Sequence, residues 1–127
     1  MTLIKLTFCL KRLPSLSRKE FQRYWKDVHG PLVRSHAGAL RIRRYVQLHT
    51  TSIPLNDALR ASRGAPAEYD GVAELWWDSV ADLEAVLATD AGARAGAALL
   101  EDERKFIDLA ASPLWLGEEI TMHEVKA

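Results

Sequence analysis

Apolar and polar residues alternate from Leu3 to Leu10, with Ile4, Leu6, Phe8 and Leu10 on one side and Lys5, Thr7 and Cys9 on the other. That period of two predicts a strand packed on one face. Pro14 and Ser15 break it, and Ser17-Arg18-Lys19-Glu20 then has capping-box spacing, in which the serine accepts a backbone N–H and the glutamate reaches back. From there the period changes. Phe21, Trp25, Val28, His29 and Leu32 recur at offsets of three and four, which makes them one stripe of a helix. Gly30-Pro31 predicts a bend or a stop in that helix, and Gly38 suits its C-terminal cap.

Alternation returns from Leu40 to Thr51, placing Ile42, Val46 and Leu48 with Arg44 on one face and Arg43, Tyr45, Gln47 and His49 on the other. The irregular stretch 52–68 holds Pro54, Gly64 and Pro66, with a short helix predicted over Leu55 to Ala61. Connections this long are commonly functional or freely variable. Tyr69-Asp70-Gly71 opens a third strand, in which Ala73, Leu75 and Trp77 oppose Val72, Glu74 and Trp76. Ser79 and Asp82 resemble another helix start, and Val80, Leu83, Val86 and Leu87 form its apolar stripe. A helical segment is predicted from Asp90 to Leu100, weakened by Gly92 and Gly96. The segment carrying Phe106, Ile107 and Leu109 stops at Pro113, and Trp115 to Val125 reads as a last strand, with Ile120 and Met122 opposed to Glu119, Thr121 and His123.

Strand, helix, strand, strand, helix, strand is the α+β, ferredoxin-like βαββαβ plan with a four-stranded antiparallel sheet. No repeat or shift in composition divides the chain, so residues 1–127 are expected to form a single domain. Two helices cover only one face of such a sheet. The face expected to be covered carries Ile4, Leu6, Phe8, Val46, Leu48, Leu75 and Trp77. The other carries Thr7, Cys9, Tyr45, Gln47, His49, Val72, Glu74, Trp76, Thr121 and His123, too aromatic for solvent and too polar for a core. A homodimer with these faces opposed would bury them and enclose a half-polar cavity for a small molecule.

Charge narrows the partners. Seventeen basic and 17 acidic side chains balance, leaving no global field for nucleic acid or an anionic membrane. The local run Arg41-Ile42-Arg43-Arg44 reads as a solvated strand edge. Cys9 is the sole cysteine, so no internal disulfide and no cysteine-based zinc site forms. That suits a reducing cytoplasm, and the short apolar run at the start of the chain reads as a strand rather than a signal or membrane span. Four histidines without paired ligand spacing, and no Gly-rich loop, predict neither a metal nor a nucleotide cofactor.

His29 is the strongest chemical feature, an ionisable ring on an apolar stripe. It is either a core histidine held by one hydrogen bond or a general acid–base, for which imidazole is well placed near neutral pH. Glu74, flanked by Val72 and Trp76, must pair, stay wet or become protonated. It is either an ion-pair partner of Arg43 or Lys5, or a second acid–base group. His49 and His123 fall on the expected cavity face. Cys9 is a buried structural thiol or a nucleophile. Asp102 and Glu103, in the run Glu101-Asp102-Glu103, read as a solvated helix face or a partner for basic loops.

Three blocks occur in a recognisable order: Phe21-x-x-Tyr24-Trp25-x-x-x-His29-x-Pro31-Leu32, then Tyr69-Asp70-Gly71-x-x-Glu74-Leu75-Trp76-Trp77, then Glu101-Asp102-Glu103-x-x-Phe106-Ile107-Asp108. Together they resemble the EthD-like family over most of the chain. The resemblance implies a dimeric α/β barrel of ferredoxin-like subunits. Related proteins include dehydratases of aromatic polyketide biosynthesis, cofactor-free monooxygenases, ring cyclases and a methylisomerase. The expected function is therefore a small cofactor-independent enzyme acting on an apolar or aromatic oxygenated molecule by dehydration, cyclisation or isomerisation, in a catabolic or polyketide-type pathway. A cofactor-free oxygenase and a non-enzymatic module that binds a hydrophobic metabolite are the alternatives. His29 and Glu74 are the expected catalytic residues, with Cys9, Tyr24, Trp25, Tyr45, His49, Trp76 and His123 expected to line the substrate.

Overall fold

The alternating segment at the start of the chain, β1 (Ile4–Leu10), is an inner strand of a four-stranded sheet in the computed structural model, which describes residues 2–127. The capping box at Ser17 forms as the spacing predicts, with Ser17 accepting from the Glu20 N–H and Glu20 accepting from the Ser17 N–H. It starts α1 (Arg18–Tyr24), which runs without a break through a π-helical segment (Trp25–His29) into α2 (Gly30–His36). Next come β2 (Arg44–His49), α3 (Pro54–Arg63), β3 (Gly71–Trp77), α4 (Val80–Leu87), α5 (Asp90–Glu103), a short 3-10 turn (Leu109–Ala111) and β4 (Leu114–Glu118). Side-chain oxygens of Ser79 and Thr89 cap α4 and α5, each satisfying a backbone donor that the first turn leaves unpaired.

The strands lie in the order β2-β3-β1-β4, all neighbouring pairs antiparallel. This is the ferredoxin-like arrangement that the element order predicts. In the register, Leu6 sits opposite Leu75 and Leu116, and Tyr45 opposite Leu75. Directly paired residues share a face, so these four side chains point to the same, helix-covered side. The core between sheet and helices holds Leu10, Phe21, Trp25 and Phe106 with almost no exposed surface. Burying side chains of this size stabilises the fold by about 1.5–3 kcal/mol each.

Three expectations are corrected. Gly30-Pro31 does not end the helix. Pro31 brings no N–H and its ring crowds the carbonyl four residues back, and the helix accommodates it by widening, with the Gly30 N–H bonded to the Trp25 carbonyl five residues earlier. The left-handed residue after this helix is Arg41 (φ 57°), not Gly38. Second, the faces of β2 are exchanged: Tyr45, Gln47 and His49 face the helices while Val46 and Leu48 face away, Leu48 being 56% exposed. Third, β4 ends at Glu118, and 119–127 carries no regular structure. The 52–68 stretch contains α3, a full helix with no buried residue.

Candidate active site

Each half of the site comes from one polar residue embedded in an apolar helical stripe. On the first helical run the stripe is Phe21, Trp25 and His29; on α5 and its exit turn it is Ala95, Leu99, Asp102 and Phe106, spaced by three and four. Helical periodicity therefore turns both His29 and Asp102 inward. His29 Nδ1 lies 2.8 Å from Asp102 Oδ2, with both side chains buried. Tyr24 donates its hydroxyl to the other oxygen, Oδ1, at 2.6 Å, and the Lys105 ammonium stands 3.5 Å from it. Phe106 packs against the rings of Tyr24 and His29, each at a centroid distance of 5.0 Å.

The electrostatics follow from burial and these contacts. Loss of water pushes the His29 pKa below the ordinary value of 6.5, outweighing the opposite pull of Asp102. Burial alone would raise Asp102, but hydrogen bonds from Tyr24 and His29 hold its carboxyl below the usual range. Tyr24 is pushed up to about 12 by burial and by the hydrogen bond to Asp102 and its charge, so it stays a phenol donor. The imidazole is thus neutral near pH 7, and with Nδ1–H given to a carboxylate its lone pair sits on Nε2. Among the described residues His29 bonds only through Nδ1, and no buried side-chain nitrogen or oxygen lacks a partner. Nε2 is therefore open to the cavity that His29 lines.

That cavity, about 400 Å³, lies between the sheet and the helices. Leu6, Ala73 and Leu75 form its floor on the sheet, and Trp25, Val33 and Leu99 its walls. Leu87, Leu100 and Leu114 line it while remaining 47%, 40% and 54% exposed, which marks the mouth. Its ionisable lining is His29, Tyr45 and Glu103. Burial and the neighbouring Asp102 charge push Glu103 up to about 7, against the pull of Arg104. An apolar chamber of this size with a few convergent polar groups has the usual make-up of a small-molecule site.

The residues singled out from sequence separate into two groups. His29, Trp25 and Tyr45 line the cavity. Tyr24 stands behind it, on Asp102. His49 stacks on Trp25 at 4.5 Å and donates Nε2–H to Gln47 Oε1, while the Gln47 amide donates to the Trp25 carbonyl and the Tyr45 hydroxyl. Gln47 thus fixes two lining residues from behind, and His49 holds Gln47. Cys9, Glu74 and Trp76 lie on the opposite face of the sheet, so Glu74 cannot act with His29. Glu74 pairs with Lys5 at 2.6 Å, and Trp76 is sandwiched by the cations of Lys5 and Arg44 with its indole N–H on Glu119. His123 lies in the exposed stretch after β4. Asp102 and Glu103, read as a solvated face, belong to the site instead. Among the described residues no three His, Cys, Asp or Glu side chains come together to hold a metal ion, and no helix is long and apolar enough to cross a membrane.

The Tyr69-Asp70-Gly71 block holds the frame. Asp70 is buried and accepts from the Arg12 N–H and the Arg12 and Arg18 guanidiniums, which ties the β1–α1 connection to the start of β3. A Cβ at Gly71 would come within 2.4 Å of the Trp25 ring, so only glycine admits the cavity wall there.

Comparison with known proteins agrees with this architecture. The chain superposes on an EthD family protein of Bacillus halodurans with a TM-score of 0.60 at 22% identity, covering 93% of this chain and 99% of that one. An EthD-like protein of Ralstonia eutropha gives 0.60 at 19%, covering 97% and 96%. HapK of Hahella chejuensis gives 0.59 at 12%, covering 98% and 99%. No curated protein matches the chain. The EthD domain model matches residues 13–110, a span that includes His29, Asp70, Asp102 and Phe106, and the chain belongs to the EthD family.

Proposed function

We propose that this protein is a cofactor-independent enzyme that moves a proton on an apolar or aromatic oxygenated molecule held in the cavity, the step behind a dehydration, cyclisation or isomerisation. The observation that carries the reading is the His29–Asp102 pair with Nε2 open to an apolar chamber. His29 takes the proton at Nε2. Asp102 keeps the imidazole in the right tautomer and stabilises the imidazolium as it forms, and Tyr24 holds Asp102. Positioned general acid–base catalysis of this kind contributes about 10²–10⁴-fold.

A probe reaction tests this without the natural substrate. Nitrobenzisoxazole opens when a base removes its ring C–H proton: the N–O bond breaks, a nitrile forms and the oxygen leaves as a phenolate. The wild-type protein accelerates this, and His29→Ala returns the rate to that of buffer while the fold is retained. Turnover that is undiminished in folded His29→Ala overturns the assignment.

The chain also pairs with a second copy in this reading. Leu48 and Trp115, 56% and 53% exposed, point from the uncovered face of the sheet, and covering such groups is worth about 25 cal/mol per Å². The partner covers the back of the sheet, whereas the cavity lies on its helix side within one chain. Light scattering at micromolar concentration should give twice the chain mass; a monomer would contradict it.

A further inference from the structure

The cavity has a second ionisable group that the His29–Asp102 pair does not use. Glu103 lies on the last turn of α5 next to Asp102 and lines the same chamber as His29. Its side chain is half-buried, and since no buried oxygen among the described residues lacks a partner, its carboxyl keeps contact with the solvent that reaches the cavity. A half-buried carboxyl on the wall of an apolar chamber is harder to ionise than one in open water. The ionisable groups around it are Tyr45 from β2, His29 from the π segment, and Asp102 and Arg104 from its own stretch. Tyr45 is pushed up by burial and, in smaller part, by Glu103 itself, so it remains a phenol. Asp102 repels charge on Glu103, and Arg104 only partly offsets that. The strands contribute apolar side chains to the lining apart from Tyr45.

We infer that Glu103 is the general acid of this site, delivering its proton to the oxygen that leaves or accumulates charge while His29 Nε2 removes a proton from carbon. This rests on the reading of His29 as the base. Two groups with environments that push their proton affinities apart divide the acid and base roles between them. Burial lowers His29 and raises Glu103 to about 7, so slightly below neutrality the base is free and the acid is loaded. The site thereby selects neutral molecules with a removable C–H at one end and a basic oxygen at the other. After each turnover the imidazolium releases its proton and the carboxylate regains one through the cavity mouth.

Benzisoxazole and its nitro derivative separate the two roles. In both, His29 takes the C–H proton and the N–O bond electrons go to oxygen. The nitrophenolate leaves as a weak base, whereas the unsubstituted phenolate gains more from a proton donated by Glu103. Glu103→Gln should slow the unsubstituted compound at least ten-fold more than the nitro compound and remove the alkaline limb of its pH–rate profile. Equal slowing of both, or none, overturns the acid role and leaves the base standing if His29→Ala still abolishes turnover. If neither compound reacts, the base reading falls and the acid role with it. Carbon-13 NMR of the glutamate carboxyls, assigned by their loss in Glu103→Gln, should place Glu103 near 7; an ordinary carboxylate midpoint overturns the proposal whatever the kinetics.

Discussion

His29 Nδ1 and Asp102 Oδ2 meet at 2.8 Å across 73 residues of chain, each the polar member of an otherwise apolar helical stripe. The two helices that carry them also carry the rings that shield them. Phe21 and Phe106 touch at 5.5 Å and Phe106 reaches His29 at 5.0 Å, so the pair sits behind aromatic packing with one nitrogen left free.

Asp102→Asn tests what the carboxylate does for that nitrogen. An amide oxygen still accepts a hydrogen bond but brings no charge, so the imidazolium loses its stabilising partner and the tautomer is no longer enforced. Turnover of the benzisoxazole probe should fall by about 10²–10⁴-fold, comparable with losing the base itself. The loss should lie in kcat rather than KM, since Asp102 does not line the cavity. A variant within two-fold of wild type would show that Asp102 is only a structural anchor.

Tyr24→Phe removes one of the hydrogen bonds that hold the Asp102 carboxyl low. Asp102 then becomes easier to protonate and less firmly oriented. The expected cost is about 1.5–3 kcal/mol of stability, the range for a hydrogen bond to a charged group. The acid limb of the pH–rate profile should also move, because the carboxylate that supports His29 has changed. Urea denaturation and a pH series check the two effects separately, and an unchanged acid limb would confine Tyr24 to stability.

The strand and helix order was legible because β1, the Ser17 box and the stripe of Phe21, Trp25 and His29 obey one period each. β2 was not, for a physical reason. Ile42 lies before the strand, past the left-handed turn at Arg41, with its N–H on the Ala37 carbonyl. Counting alternation through that turn carries the wrong phase into Tyr45 and Gln47, and a slip of one residue exchanges the two faces. With the faces of β2 exchanged, Tyr45, Gln47 and His49 are expected beside Glu74 on the uncovered face, whereas they stand on the helix-covered side. Asp102 was hidden differently. A run of three acids ordinarily marks a solvated face, yet Leu99, Asp102 and Phe106 share helical spacing, and that spacing is the signal that would have found the partner of His29.

Gly71→Ala probes how the Tyr69-Asp70-Gly71 turn shapes the site from a distance. The added methyl would stand 2.4 Å from the Trp25 ring and 2.8 Å from the Leu48 carbonyl. Backbone on one side leaves the indole to move, which displaces a cavity wall and its stack on His49. Overpacking of this kind costs about 1–3 kcal/mol. Tryptophan near-ultraviolet circular dichroism should change along with the melting temperature, and an unchanged spectrum with full stability would mean that the wall has room to spare.

Glu103→Gln should be more stable than wild type in mild alkali and indistinguishable from it in mild acid. The folded-state pKa of Glu103, about 7, lies above the ordinary 4.5. Between those values the folded protein binds the extra proton, so wild-type stability falls as pH rises through that window and stays low above it. The difference corresponds to about 3 kcal/mol once the carboxyl is fully ionised. His29 acts in the opposite sense: its lowered pKa means that the unfolded chain takes up a proton first as pH drops below 6.5, destabilising the fold there. That contribution is common to wild type and variant and cancels in their difference. Urea unfolding at about pH 5 and about pH 8 measures the difference directly. A gap that does not widen with pH would mean that Glu103 ionises freely in the fold, and a glutamate that ionises freely holds no proton near neutrality to give.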